Sequence, residues 1–174
     1  MKKIILLLMV VLTTTICANA QFKIGILKKN LYKGTDLVSY SGGEVAYTET
    51  KNGKVKIYIV IETDYQYIGI FSRNLVDFCG YYHGEVKDPR DEYVNIRKGP
   101  GTNYPIVGKV YVGNFLIFKK TDSNWYEVYN RLPYPEKGDD GFLHLERYFY
   151  KDDSYYCIGY IYKDRIKSPN YYAY

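Results

Sequence analysis

Short apolar runs separated by turn residues recur along the chain, and none of them repeats with the period of a helix. The run at 57–61 follows Asn52-Gly53, a pair typical of the tight turn in a β-hairpin. Further runs at 106–110, 114–118 and 125–129 are separated by glycine, asparagine and serine. This pattern predicts a chain built mainly of strands.

Strict alternation predicts one strand in detail. Val94 and Ile96 are apolar, whereas Asn95 and Arg97 are polar, as in a strand with one buried face. A sharp turn is expected after it, because proline fixes φ and glycine accepts backbone angles that other residues avoid. The residues of this structural turn are Gly99, Pro100 and Gly101.

Composition supports the strand prediction. The chain of 174 residues contains 23 Tyr, and its aromatic fraction of 18% stands against only four alanines. Tyrosine favours strands, alanine favours helices, and the 15 Gly and 6 Pro supply turns. Because 47% of the residues are hydrophobic, the chain can fill a core, which excludes a disordered protein. We expect a mainly all-β fold, and a coiled coil or a helix bundle is excluded.

Residues 1–20 have the pattern of a secretory signal peptide. Lys2 and Lys3 precede an unbroken apolar run at 4–12, and Ala18-Asn19-Ala20 provides the small residues of a cleavage site. The run is too short to span a bilayer, so no stable membrane anchor is expected. We expect cleavage after Ala20 and export of the mature chain to the periplasm or out of the cell.

The charge is too weak to indicate a nucleic-acid partner. The net charge of +5 includes the two lysines of the predicted signal peptide, and the remaining basic residues form no stripe that could follow phosphates. No nucleic-acid partner is therefore expected. The sequence leaves the oligomeric state open.

Two cysteines, Cys79 and Cys157, remain after the predicted cleavage. In an oxidising compartment an even pair invites a disulfide bond, and this bridge is one prediction. The alternative is two separately buried thiols, because free cysteine is among the residue types most often buried.

A charged stretch that contains proline, at 87–92, predicts a boundary between two β-rich segments. The segment before it, 21–86, is expected to be a small β-module. Residues 67–76 of this module resemble residues 157–166. The module is therefore a degenerate copy of the second segment, a different small β-domain, or a set of strands packed directly on the second segment.

The second segment resembles the bacterial SH3 domain. The resemblance begins with the strand and turn described above and continues through Tyr104. It includes Gly113, Trp125-Tyr126-Glu127-Val128 and a closing run at 159–166 that begins Gly-Tyr-Ile. It implies a small SH3-like barrel at about 91–168, with an insertion at about 130–156 that projects from the barrel. Insertions in surface loops are tolerated and often carry function.

What the resemblance implies about function is binding through a groove lined by aromatic side chains. Tyrosine offers a flat face to a sugar or a peptide, and an arginine can contact a carboxylate. The expected groove residues are Tyr104, Trp125, Tyr126, Tyr160, Tyr162 and Arg97. The expected ligand is a cell-wall peptide or glycan, or an envelope protein. The alternative is an inhibitor or adaptor that docks an envelope or secreted partner through the 130–156 insertion.

The sequence contains none of the familiar enzyme motifs. It has no Gly-x-Ser-x-Gly, His-Glu-x-x-His or Cys-x-x-Cys pattern and no phosphate-binding loop. A nucleophile–base pair of Cys79 and His83 would need a larger catalytic domain than residues 21–86 provide. The acidic pairs at 139–140 and 152–153 lack the spacing of a calcium loop. We therefore expect a non-catalytic protein without a metal ion or a cofactor.

Overall fold

Strands account for most of the chain that the structure describes. The computed structural model describes residues 21–61, 64–145, 152–167 and 171–172, so the predicted signal peptide lies outside the described residues. The first strands are β1 (Phe22–Leu27), β2 (Leu31–Lys33), β3 (Asp36–Ser39), β4 (Glu44–Glu49), β5 (Lys54–Ile61), β6 (Asp64–Ser72) and β7 (Val76–Val86). They are followed by β8 (Tyr93–Arg97), β9 (Ile106–Tyr111), β10 (Phe115–Lys119), β11 (Trp125–Asn130), β12 (Tyr156–Tyr162), β13 (Ile166–Lys167) and β14 (Tyr171–Tyr172).

Helical structure in the described ranges is confined to two 3₁₀ turns, Arg73–Leu75 and Lys163–Arg165. Each turn leads directly into the following strand, β7 or β13. The mainly all-β fold that the sequence predicts is therefore confirmed. Within the same ranges, no helix has the length and apolar character needed to cross a membrane.

β7 joins the two halves of the main sheet. The strand order is β14-β6-β5-β4-β1-β7-β10-β11-β12-β8-β9, and β13 also pairs with β7. The strand pairs are antiparallel except β14 with β6, and β2 and β3 form a separate hairpin. The eleven residues of β7 pair with β1 along most of the strand and with β10 near its end. One continuous sheet therefore contains both segments that the sequence distinguishes.

Each half of the sheet has its own hydrophobic core. The core of the second half includes Val94 and Ile96, which are 8% and 0% exposed. Asn95 and Arg97 alternate with them on β8 and are only partly buried, so the alternation predicted for this strand is confirmed. The core of the first half packs Tyr47 among apolar side chains of the strands around it. Burial of this apolar surface is the main source of stability in both halves.

The sequence predicts that the chain between β11 and β12 projects from the barrel. In the structure, part of this chain packs against the barrel. Leu143 is 8% exposed and belongs to the second core, where it fits against Gly108. The Lys109 amide donates to the Gly141 carbonyl at 3.0 Å, and the Leu143 amide donates to the Lys109 carbonyl at 2.8 Å. The segment thereby satisfies backbone groups at the edge strand β9, which would otherwise face solvent. Residues 146–151 of the insertion lie outside the described residues.

Candidate functional site

A groove of about 570 Å³ lies on the second half of the sheet, beside β8, the start of β11 and the end of β12. Its lining combines aromatic rings with charged and amide side chains and with the backbone of one loop. These groups are Trp125, Tyr162, Tyr93, Asp88, Asp91, Asn95, Arg97 and Arg165, with the loop at 101–103. The groove is therefore partly apolar and partly polar, as ligand sites on proteins commonly are.

Trp125 and Tyr162 form the aromatic side of the groove because they lie directly opposite each other on β11 and β12. Their ring centroids are 5.5 Å apart, and the rings meet edge to face at 65°. The next residues along the two strands, Tyr126 and Ile161, pack in the second core, so Trp125 and Tyr162 point the other way. The pair offers a fixed apolar surface at the rim of the groove.

β8 supplies the polar floor of the groove. With Val94 and Ile96 in the core, Asn95 and Arg97 face outward. The Asn95 Oδ1 atom is buried and accepts no hydrogen bond from the described residues. Arg97 donates from Nη1 to the Tyr104 carbonyl oxygen at 2.8 Å, which holds the guanidinium in place at the groove.

Part of the groove lining comes from the charged stretch that the sequence predicts only as a boundary. Asp88 pairs with Arg165 at 2.5 Å, and the Asp88 side chain is only 5% exposed. The Arg90 amide donates to Asp88 Oδ1 at 3.0 Å, which fixes the carboxylate further. A second hollow of about 670 Å³ shares Asp88, Arg165 and Tyr162 with the groove and extends toward Lys87. Acidic and basic side chains thus alternate around the site, which suits a ligand with both donors and acceptors.

Tyr104 does not line the groove but covers the loop beside it. A β-carbon on Gly99 would lie 2.7 Å from Tyr104 Cγ, and one on Gly101 would lie 3.3 Å from Tyr104 Cδ2. Neither glycine has a positive φ. The expectation that these glycines provide unusual backbone angles is therefore wrong. Gly99 is needed because the tyrosine ring packs against its backbone at a distance that a side chain would prevent, whereas the ring is only a tight neighbour of Gly101.

We expect Gly99→Ala to lower the free energy of unfolding by about 1 kcal/mol, because the new methyl group overlaps the Tyr104 ring. The cost should shrink in a chain that carries Tyr104→Ala, because the ring is then absent. Urea unfolding of the two single variants and the double variant measures both effects. An equal cost of Gly99→Ala with and without the ring would show that the backbone, and not the ring, requires glycine.

Tyr126 and Tyr160 also lie outside the groove lining. The Tyr126 ring stacks on Phe118 with centroids 5.1 Å apart and packs against the second core. Tyr160 lies opposite Glu127, two residue pairs along from Trp125 and Tyr162, and its hydroxyl is 3.5 Å from the Glu127 carboxylate. Burial, followed by nearby Cys157 and Glu127, raises the pKa of Tyr160. Of the six expected groove residues, the structure brings together Trp125, Tyr162 and Arg97.

Cys79 and Cys157 are free thiols, so the predicted disulfide is wrong. Cys79 lies on β7 and Cys157 on β12, and β10 and β11 separate these strands in the sheet. Each thiol lies near a different carbonyl oxygen, that of Ile24 at 3.0 Å for Cys79 and that of Gly159 at 3.6 Å for Cys157. Burial raises the pKa of Cys79 to about 11 and also raises the pKa of Cys157, which makes both thiols poor nucleophiles.

The cysteine and histidine side chains of the described residues lie outside the groove lining. His83 is buried and shares a hydrogen bond with the Tyr65 hydroxyl, away from the Cys79 thiol contact with Ile24. Within the described ranges, no cluster of three or more His, Cys, Asp or Glu side chains could hold a metal ion.

The groove residues expected from the sequence do not include Asn95, Asp88, Asp91 and Arg165. Asn95 could have been found, because it is the polar position between two core residues of the SH3-like opening motif. The charged residues carried no such signal, because Asp88 and Arg165 are distant in sequence and meet only where β13 returns to β7.

Comparison with known proteins supports the SH3 resemblance. Residues 92–166 match the family model of the bacterial SH3 domain. The matched segment contains β8 to β12, both members of the aromatic pair, and the β11–β12 insertion. No curated protein matches the chain.

Proposed function

Because residues 92–166 form a bacterial SH3 domain, we propose that the protein is a non-catalytic binding protein whose groove takes a cell-wall peptide or glycan. Bacterial SH3 domains are binding modules and are often associated with the cell wall. A fold alone does not define a ligand, so the proposal depends on the chemistry of the groove itself.

The observation that carries the proposal is the meeting of Trp125, Tyr162, Arg97 and Asn95 in one groove. The aromatic pair can stack on a sugar ring or a peptide plane. Asn95 adds a polar side chain to the groove lining, and Arg97 can donate to a ligand carboxylate or carbonyl. Cell-wall peptides and glycans present all of these groups.

The proposed ligand requires that the protein leaves the cytoplasm. The basic start, apolar run and Ala18-Asn19-Ala20 site at the N-terminus support export. In this proposal the mature protein works in the periplasm or outside the cell and meets the wall there.

Replacing Trp125 or Tyr162 with alanine should weaken binding to purified peptidoglycan by at least about tenfold, because aromatic anchors dominate the energy of such surfaces. Co-sedimentation with a range of peptidoglycan concentrations measures the affinity, and a thermal melt verifies that each variant is folded. Tyr134→Ser is the matched control, because Tyr134 is a fully solvated tyrosine, 90% exposed, outside the groove. Binding of the folded Trp125 and Tyr162 variants with parental affinity would contradict the proposal.

A second candidate function is docking of an envelope or secreted protein through the insertion. It is favoured by Leu132 and Tyr134, which are 54% and 90% exposed just after β11 and are poorly explained by the fold. This candidate predicts that the parent is not retained on peptidoglycan but cross-links to an envelope or secreted protein, and that Tyr134→Ser loses this cross-link while the groove variants keep it. Loss of the cross-link in the folded groove variants instead would contradict docking through the insertion.

A further inference from the structure

The same order of elements occurs twice along the sheet. In the first half, β1 pairs with β4, β4 with β5 and β5 with β6, and a 3₁₀ turn then leads into the start of β7, which returns to β1. In the second half, the end of β7 pairs with β10, β10 with β11 and β11 with β12. The second 3₁₀ turn then leads into β13, which returns to β7. These strands therefore have the same connectivity in both halves. The hairpins after the first strand differ in pairing, because β8 and β9 join the sheet beside β12, whereas β2 and β3 form a separate sheet.

The registers of the two halves also agree. The pairing of β5 with β6 shifts immediately after Ile57 lies opposite Gly69. The pairing of β11 with β12 shifts immediately after Val128 lies opposite Gly159. A shift of one residue moves the following side chains to the other face of the sheet. Because both strand pairs shift at the same place, equivalent residues face the core of their own half.

A close backbone contact is repeated at equivalent positions. A β-carbon on Gly25 of β1 would overlap Val76 and lie 2.8 Å from a tyrosine ring on β4. A β-carbon on Gly84 of β7 would overlap Ile166 and lie 2.9 Å from a phenylalanine ring on β10. Val76 and Ile166 are the residues that follow the two 3₁₀ turns. In each half, the strand after the 3₁₀ turn and an aromatic ring pack directly on the backbone of the first strand. Each half therefore needs a glycine at this position.

The turns before β4 and β10 are held by the same pair of backbone hydrogen bonds. In each turn a glycine amide donates to the end of the first strand, and the amide of that strand residue donates back to the residue after the glycine. These bonds join Leu27 with Gly42 and Gly43 in the first half, and Val86 with Gly113 and Asn114 in the second. Gly42 and Gly113 have similar positive φ values, 85° and 91°.

β1 and β7 face each other as equivalent strands. Matching the halves by register makes Lys23 equivalent to Tyr82, and these two residues lie opposite each other in the sheet. A residue that faces its own equivalent is the mark of a two-fold contact. We propose that residues 22–78 are a second SH3-type barrel, packed on the first about this axis, and that only the C-terminal barrel has kept a ligand groove. The same match makes residues 67–76 equivalent to residues 157–166, which are the two segments whose sequences resemble each other.

The groove residues are where the two barrels differ in chemistry. Trp125 lies opposite Tyr162, and the equivalent strand pair in the N-terminal barrel begins with Lys54 opposite Ser72. Arg165, the last residue of its 3₁₀ turn, is replaced by Leu75. The N-terminal barrel keeps the register without these groups, so the fold does not require them. We therefore assign Trp125, Tyr162 and Arg165 to ligand recognition, and this assignment rests on the proposed function of the groove.

Two glycine variants test the duplication without any ligand. Gly25→Ala and Gly84→Ala should each lower the midpoint of thermal unfolding by about 5 °C or more, because both β-carbons overlap the returning strand. Gly34→Ala is the control for a glycine whose β-carbon meets no neighbouring atom, although its positive φ adds a small cost. A loss at Gly84 without a comparable loss at Gly25, relative to this control, would overturn the second barrel.

An exchange of residues between the barrels tests the single groove. The double variant Trp125→Lys with Tyr162→Ser carries the N-terminal barrel's residues, and it should unfold within a few degrees of the parent while its retention on purified peptidoglycan falls at least about tenfold. Lys54→Ala with Ser72→Ala, at the equivalent positions, should leave retention unchanged and should lower stability only by the loss of the Ser72 cap on the first 3₁₀ turn. The assignment would be overturned if the exchange variant did not fold, or if the variant with Lys54→Ala and Ser72→Ala lost its retention on peptidoglycan.

The two experiments fail independently of each other. If the parent protein is not retained on peptidoglycan, the proposed function is wrong, and the glycine variants still decide whether the second barrel exists. If the parent is retained and the exchange variant is folded and equally retained, the groove assignment is wrong while cell-wall binding stands.

Discussion

Replacing Leu143 with alanine should lower the free energy of unfolding by about 3 kcal/mol, the usual cost of truncating a buried leucine. Leu143 comes from the insertion, but it is 8% exposed and packs in the second core against Gly108. Its backbone also bonds to Lys109 on the edge strand β9. The lost side chain leaves a cavity that β9 and the backbone around it can fill only in part. Urea unfolding followed by tyrosine fluorescence measures the change.

Leu132→Ala is the matched control for this prediction. Leu132 lies in the same insertion but is 54% exposed, so its truncation should change the free energy of unfolding by no more than about 0.5 kcal/mol. If Leu143→Ala were as mild as Leu132→Ala, the insertion would be an independent projection. The expected difference would show that part of the insertion completes the barrel.

This dual character of the insertion bears on the proposed ligand site. The part near Leu143 is held by the core and by β9, whereas Leu132 and Tyr134 face solvent. The rim of the groove is also fixed, because Arg97 is tied to the Tyr104 carbonyl and Asp88 to Arg165. A groove with fixed walls loses little conformational entropy on binding, which favours affinity.

Alternation within single strands explains much of what the sequence predicts correctly. A period of two places Val94 and Ile96 in the core and turns Arg97 outward. The SH3 resemblance adds Trp125 and Tyr162, which the structure brings together in the groove. These features depend on one strand or on one neighbouring pair, so they need no knowledge of how distant strands meet.

The features that the sequence did not predict depend on contacts between distant elements. Asp88 and Arg165 meet only because β13 returns to the end of β7. The inward position of Tyr126 is a different case, because neighbouring residues on a strand face opposite sides. Trp125 and Tyr126 therefore could not both line one groove, and that constraint was present in the sequence.

Acidification should selectively destabilise this protein through His83. The side chain is 3% exposed on β7, its Nε2 atom has no hydrogen-bond partner in the described residues, and its Nδ1 atom bonds to the Tyr65 hydroxyl. Burial lowers the pKa of His83 from 6.5 to about 4. The unfolded chain therefore takes up a proton below pH 6.5, while the folded protein resists protonation until about pH 4. Stability is present above pH 6.5 and is lost as the pH falls toward 4.

The size of this loss follows from the pKa difference. Between pH 7.5 and pH 4.5, His83 should cost about 2.5 kcal/mol of the free energy of unfolding, at 1.36 kcal/mol for each unit of pKa shift. His83→Gln removes the titration and keeps a side-chain oxygen that can accept from the Tyr65 hydroxyl. The variant should have a lower stability at pH 7.5 but a shallower dependence on pH. Urea unfolding at several pH values gives the two slopes.

His144→Gln separates the buried histidine from the exposed one. His144 is exposed on the insertion, so His144→Gln is the control for the exchange of histidine for glutamine outside the core. Carboxylates such as Glu49, whose pKa is lowered first by its hydrogen bond with Lys23, titrate in every variant and cancel in the comparison. If His83→Gln and the parent lost stability in parallel between pH 7.5 and pH 4.5, His83 would have to be protonated in the fold. The conclusion that His83 is a neutral imidazole, buried between the two halves of the sheet, would then be wrong.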